Sequence, residues 1–248
     1  MKHGPDMVAK TPALAEALGS PPPPLLRREQ AFEHIKDAII TDRLRPGTRL
    51  IERELCEALG ASRTIVREVI RRLEAERLVQ VAAHRGPRVA VLTAKTVREM
   101  YDLRVELESL LVREFVENAT DRQIADLGQL VKEIKEPAQS NDIDVLVLIM
   151  RRFYHVLVNG AGNDVLSDTL EMLHARISRL RVLAMSEPGR SLRSVGEIGR
   201  IVKAIERRDS YAADQATRVY VRSARNSALR QLAIQDDGTE GEAGELVS

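Results

Sequence analysis

From residue 93 to residue 234 every apolar pattern in this chain repeats with the period of an α-helix, and no segment alternates as a strand does. Leu103, Leu107, Leu110, Leu111 and Phe115 fall at i, i+4, i+7, i+8 and i+12, one stripe of a long helix. Caps and breakers divide the rest of the block. Thr120 and Asp121 can cap a helix that runs to Glu136 and stops at Pro137, and Asn141 with Asp142 can cap the next, ending at Asn159 and Gly160. A further helix starts near Asp164 and stops before Pro188. Another begins at Ser194, and Asp209 can cap the last, which reaches about Ile234. An amphipathic helix must cover its apolar stripe with another element, so this block reads as an all-helical bundle.

Residues 27–92 read differently. Phe32, Ile35, Ile39 and Ile40 share a face of a first helix over 31–40, and Arg45-Pro46-Gly47-Thr48 is a turn. A second short helix over 52–59 turns Leu55 and Leu59 inward. Gly60-Ala61 makes a tight turn, and Ser62 is a good N-cap for a third helix whose buried face is Val66, Val69, Ile70 and Leu73. Residues 78–81 and 88–91 are two short β-like runs around the polar turn His84-Arg85-Gly86-Pro87, a hairpin with a basic tip. The fold class expected is mainly α: an N-terminal winged helix-turn-helix followed by the helical bundle at 93–234.

Both ends look unlike these blocks. Residues 1–26 finish in Pro21-Pro22-Pro23-Pro24 and read as a disordered arm, and the acidic, glycine-containing residues 235–248 read as a disordered tail. The longest apolar run, 145–150, falls far short of the ~18–20 residues that span a bilayer. The N-terminus lacks the basic-then-apolar order of a secretory signal, so the cytoplasm is the expected compartment. A single cysteine, Cys56, excludes an intrachain disulfide and a cysteine-rich metal site.

Charge is divided along the chain. Residues 27–92 hold 14 Lys and Arg against 10 Asp and Glu, although the net charge of the whole is only +1. The excess lies where phosphate binding would need it, but a solvated mixed-charge surface gives the same count. The arrangement says more than the count. The major groove admits one α-helix, N-terminal residues nearest the bases, and Ser62, Arg63, Thr64 and Arg67 occupy that end of the third helix. Arginine pairs bidentately with guanine, the hydroxyls meet phosphates or bases, and a helix N-terminus favours an anion. The tip at His84, Arg85 and Gly86 can reach the minor groove or backbone.

Residues 32–92 closely resemble the N-terminal domain of GntR-family regulators. The resemblance is carried by Ile35, Ile39, Pro46-Gly47, Leu50, Glu52, Glu54-Leu55, Leu59-Gly60, Ser62-Arg63-Thr64, Val66-Arg67-Glu68, Arg72-Leu73-Glu74, Leu78-Val79 and Arg85-Gly86. It implies that Arg53, Arg63, Arg67 and Arg85-Gly86 contact an operator, with Ser62 and Thr64 beside them. Two positions depart. Ile65 stands where the family has proline or a small polar residue, and Glu76-Arg77 replaces an acidic-glycine turn. The second block resembles the C-terminal domain of the FadR subfamily through Tyr101-Asp102-Leu103-Arg104, Leu107-Glu108, Tyr154-His155, Gly162-Asn163, Leu166, Ala204-Ile205, Arg208-Asp209 and Ala213. Its six or so helices match the shorter VanR-like branch.

Many members of that subfamily hold a divalent metal with one aspartate and three histidines. Matched to this chain, those positions are Arg151, His155, Ile198 and Tyr220. One imidazole cannot assemble such a set, and the arginine puts a fixed positive charge where the cation would sit, so no metal or other cofactor is expected. Arg151 and His155 lie at i, i+4 on one helix face, and Arg104 joins them if it points inward. A buried arginine needs a counter-ion, and a carboxylate or phosphate ligand supplies one as well as a neighbouring acidic side chain does. Arg104, Arg151, His155 and Tyr220 are therefore the candidate ligand-binding residues.

The function these readings favour is a homodimeric repressor on a pseudo-palindromic double-stranded DNA operator, modulated by a small anionic effector in the bundle. An effector-independent dimeric DNA-binding factor stays open. So does an enzyme with a helical active site, although the chain carries no nucleophile elbow, phosphate-cradling glycine loop or metal-ligand cluster.

Overall fold

The computed structural model describes residues 28–82 and 86–244. The arm at 1–26 and the tip residues His84 and Arg85 lie outside the described residues. The chain divides into two compact units, one through Val91 and one from Leu92.

In the first unit α1 (Arg28–Ile40), α2 (Glu52–Leu59) and α3 (Arg63–Ala75) precede a hairpin of β1 (Val79–Ala82) and β2 (Gly86–Val89). The apolar faces read from periodicity meet in one core: Phe32, Ile35, Ile39, Leu55, Leu59, Val66, Val69 and Leu73 are all buried. Gly60 closes α2 in the left-handed conformation, φ 59°, which glycine adopts without a Cβ penalty. Ser62 then caps α3, its hydroxyl accepting from the Ile65 amide at 3.3 Å. The strands pair antiparallel from Val79 opposite Val89 to Ala82 opposite Gly86. The 47–50 segment is laced to β2, with Leu50 N–H donating to Pro87 O and Val89 N–H to Thr48 O, both at 2.9 Å.

The second unit is all helix: α4 (Ala94–Asn118), α5 (Asp121–Glu133), α6 (Lys135–Ser140), α7 (Ile143–Ala161), α8 (Asp164–Met185), α9 (Arg190–Glu206) and α10 (Ser210–Gly244). Thr120 and Gln123 form a full capping box on α5, Asp142 caps α7 and Asn163 caps α8. Asp209 caps the last helix, accepting from the Ala212 amide at 2.9 Å.

Four expectations are corrected. Pro137 does not end a helix: α5 stops at Glu133, and Pro137 sits in the first turn of α6, where its missing N–H costs nothing. Gly160 is not a terminator but lies inside α7, with Gly162 as the left-handed cap. A Cβ at Gly160 would enter the ring of Phe115 and stand 3.2 Å from the Cβ of Ala119, so the glycine permits close packing of α7 on α4. The Leu103 stripe is displaced: Leu103 is 43% exposed, and the buried face of α4 includes Tyr101, Arg104, Glu108, Leu111 and Phe115. Residues 235–244 continue α10 instead of forming a tail, with no proline beyond Ile234 to stop it, although Gly238 and Gly241 weaken the propensity there.

Candidate functional site

The outer face of α3 carries a row of cations. Arg63, Arg67 and Arg71, four residues apart, are exposed, with Thr64 beside Arg63 at the capped end. Arg72 belongs to the other side. Its guanidinium lies 3.6 Å from the Phe32 ring centroid and 2.7 Å from Glu29, so it ties α3 to α1. Arg67 donates through Nε to both carboxylate oxygens of Glu52 at 3.0 Å, and Arg53 pairs with Glu57 at 3.2 Å. Both pairs are exposed, so each is weak and exchangeable for a stronger anion.

Near the hairpin the structure adds cations that sequence reasoning passed over. Arg49 bridges to Arg88 in the backbone ladder, and a Cβ at Gly86 would stand 3.9 Å from the Arg49 guanidinium. Gly86 itself has φ 70°. Arg88 donates to Gly47 O at 3.0 Å. The signal was present in the sequence as Arg45, Arg49 and Arg88, but only the ladder between 47–50 and β2 gathers Arg49 beside Gly86. The departure at Glu76-Arg77 keeps the turn: Arg77 takes φ 59°, the conformation the family's glycine would supply.

The interior of the second unit is charged. Arg104 is fully buried and Glu108 is 2% exposed. Glu108 accepts from Arg104 Nε at 2.9 Å, Arg181 Nη2 at 3.1 Å and the Tyr154 hydroxyl at 2.7 Å. Burial pushes the Glu108 carboxyl upward, but the Arg104 and Arg181 guanidiniums outweigh it and hold the group below its ordinary value. Burial pushes the Tyr101 hydroxyl up to about 12, and Tyr154 higher still. Arg181 stacks on Tyr154 at 3.7 Å, and Nη1 and Nη2 of Arg104 make no hydrogen bond.

A narrow cavity of about 20 Å³, little more than room for a water, adjoins this cluster, with Met150, Arg181, Arg190, Ile198 and Tyr220 on its wall. A second, of about 10 Å³, shares Met150, Ile198 and Tyr220 and reaches Glu108 and Tyr154. Of the sequence-derived ligand residues, Arg104 and Tyr220 are buried in this interior. Arg151 and His155 are not. Both are exposed and border an outer groove with Asp126 and Glu133. The inward i, i+4 pair on α7 is Met150 and Tyr154, one residue earlier, because Leu146, Ile149, Phe153 and Leu157 turn that face to the core. Arg181, Arg190 and Glu108 were missed as site residues. The sequence held no signal for Arg190, because the helix expected from Ser194 in fact begins at Arg190, after the left-handed Gly189.

The metal position fails a chemical test. The inward residues corresponding to the ligand set are Met150, Tyr154, Ile198 and Tyr220, which offer no carboxylate or imidazole and face arginines. Among the described residues no group of three or more His, Cys, Asp or Glu could hold a metal ion, and no helix is long and apolar enough to cross a membrane.

An outward basic helix in one unit and a helical bundle with a charged interior in the other fit a DNA-binding transcription regulator with a ligand-binding type of domain. The chain belongs to the gntR family of bacterial regulatory proteins, matched over residues 27–89, and carries an FCD domain, matched over residues 99–223. It is 28% identical over 187 residues to the HTH-type transcriptional regulator YdhC of Bacillus subtilis, covering 75% of this chain and 84% of that one. It is 25% identical to the HTH-type transcriptional repressor RspR of Escherichia coli over 82% of this chain and 89% of that protein. Its fold resembles E. coli McbR/YncC at TM-score 0.70 and 21% identity, covering 85% of this chain and 99% of that one. These relatives are regulators, and this chain is a regulator and not an enzyme.

Proposed function

We propose that two copies of this chain bind a pseudo-palindromic operator as a repressor, and that a small anion held in the helical unit modulates that binding. Arg63, Thr64, Ser62 and Arg67 read or anchor to the major groove. Arg53 meets a phosphate, and the wing at His84, Arg85 and Gly86 reaches the adjoining groove or backbone with Arg49 behind it. Tyr220 lines the effector side, and Arg104 stands behind it through Glu108. Arg151 and His155 have no part in it, since both lie on the outer face of α7.

The observation that carries the reading is the set of buried N–H groups of Arg181 and Arg190 that make no hydrogen bond, on the wall of a narrow slot in the bundle. A bundle serving only for dimerisation has no use for them, because an unsatisfied buried donor costs about 1–3 kcal/mol.

The test is operator affinity, by fluorescence anisotropy, for Arg63→Ala combined with Arg67→Ala. Each lost guanine contact costs about 1–3 kcal/mol, so specific binding falls by one to several orders of magnitude while helical content is unchanged. Unaltered affinity in a folded variant refutes the assignment.

A further inference from the structure

The 47–50 segment and the hairpin form a small ladder whose two faces differ. Thr48, Leu50, Val79 and Val89 are buried, while Arg49, Gln80 and Arg88, which alternate with them, are exposed. Arg49 stands opposite Arg88, and Arg88 opposite Gln80. Backbone bonds run from Leu50 N–H to Pro87 O and from Val89 N–H to Thr48 O, on either side of the Arg49 and Arg88 pair. That makes it a non-hydrogen-bonded pair, whose Cα atoms stand only about 4.5 Å apart. Two cations directly opposite one another destabilise a sheet, and no acidic residue shares the row.

The two side chains lean apart. Arg88 reaches back, donating from Nη1 to Gly47 O at 3.0 Å. Arg49 leans the other way, with Nε and Nη2 3.9 and 4.0 Å from where a Cβ on Gly86 would lie. Gly86 has none, so the guanidinium lies against bare backbone at the start of β2. Among the described residues Arg49 makes neither a hydrogen bond nor an ion pair. Its place opposite Arg88 sets it back two residues from Gly86, about 7 Å along the strand. With the tip in a groove, a cation set back by that distance meets the phosphate wall and not the base edges.

We infer that Arg49 is an anchor for a DNA backbone phosphate, separate from the base-reading end of α3. Arg88, tied back to Gly47, steers the Arg49 fork toward the tip by repulsion. The phosphate supplies the counter-charge that the ladder lacks, so a pairing that costs the free protein is repaired on the duplex. This deepens the proposed operator binding and rests on reading the wing as a DNA contact.

The experiment is fluorescence anisotropy over a range of salt, with the full-length protein and two labelled duplexes. One is selected from a random pool by the wild-type protein, and the other is its base-shuffled counterpart. Arg49→Gln should weaken binding to both by the same factor, severalfold at about 0.1 M salt, and leave the preference between them intact. The slope of log affinity against log salt should fall by about 0.9 for each bound protomer. Arg49→Lys should keep the wild-type slope, because the charge remains. Arg88→Gln should lower the slope less than Arg49→Gln does. If Arg49→Gln does not fold, Arg49→Thr, which suits a strand, carries the same expectation. An unchanged slope in the folded variant, a loss confined to the selected duplex, or an equal or larger fall in Arg88→Gln overturns the inference. Arg63→Ala with Arg67→Ala, run beside it, tests the base-reading assignment and should erase the preference for the selected duplex. If that preference survives, the base-reading assignment fails, while the Arg49 slope on the shuffled duplex still decides the phosphate anchor.

Discussion

The two units use arginine in opposite ways. On α3, Arg63, Arg67 and Arg71 stand in solvent, and where one is paired, Arg67 with Glu52 at 3.0 Å, the pair lies at the surface where water and salt screen it. In the bundle, Arg104 and Arg190 are at most 1% exposed, and each is held against a carboxylate with N–H groups left over. An exposed guanidinium costs little to keep and exchanges its partner readily, which suits binding and release of DNA phosphates. A buried one is expensive to leave unsatisfied, which suits a site completed by a small anion. Burial, not residue type, decides which task an arginine performs.

The contrast breaks first at Glu108. Glu108→Gln leaves Arg104 and Arg181 without their shared counter-charge and should destabilise the helical unit by about 3–5 kcal/mol in chemical denaturation. The pH dependence has its source in the same group. Its folded pKa lies below its ordinary value of 4.5, so its stabilisation is present above that value and is lost as pH falls through the folded pKa. Acid unfolding of the helical unit should therefore lose part of its steepness in the variant.

Gly160→Ala comes next. Its methyl would meet Phe115, and overpacking of this kind costs about 1–3 kcal/mol, read as a lower midpoint for the helical unit. Arg77→Gly should act in the other direction. Relieving a left-handed arginine stabilises the DNA-binding unit by about 0.5–1 kcal/mol, visible as a small rise in its melting temperature. The smallest effect belongs to Glu52→Gln. It frees Arg67 and removes a negative charge from the DNA-facing side, and operator affinity should rise by less than about 1 kcal/mol, with a smaller gain at high salt.

Legibility also differed between the units. The first is built from local signals. Ser62 as cap, Gly60 as left-handed stop and the 3.6 period of Val66, Val69 and Leu73 each act within a turn or two of chain, so sequence alone places α3 and its outward face. The bundle interior depends on which of two adjacent residues turns inward, and a shift of one residue rotates a side chain by about 100° around the axis. That is the whole difference between Arg151-His155 and Met150-Tyr154. The Leu103 stripe misled for a related reason. An apolar residue on α4 remains half in solvent, while Arg104 and Glu108 take the core because they neutralise each other there. Arg190 needed three-dimensional knowledge of the cavity it borders.

If the interior charge is the protein's own and its complement is an organic anion, native mass spectrometry of freshly purified protein, with a denatured control, should reveal both facts at once. The expected species is a dimer that carries no stoichiometric metal and gains the mass of an added small organic anion. One zinc or manganese ion per protomer, retained in the native spectrum and lost on denaturation, would refute that pairing.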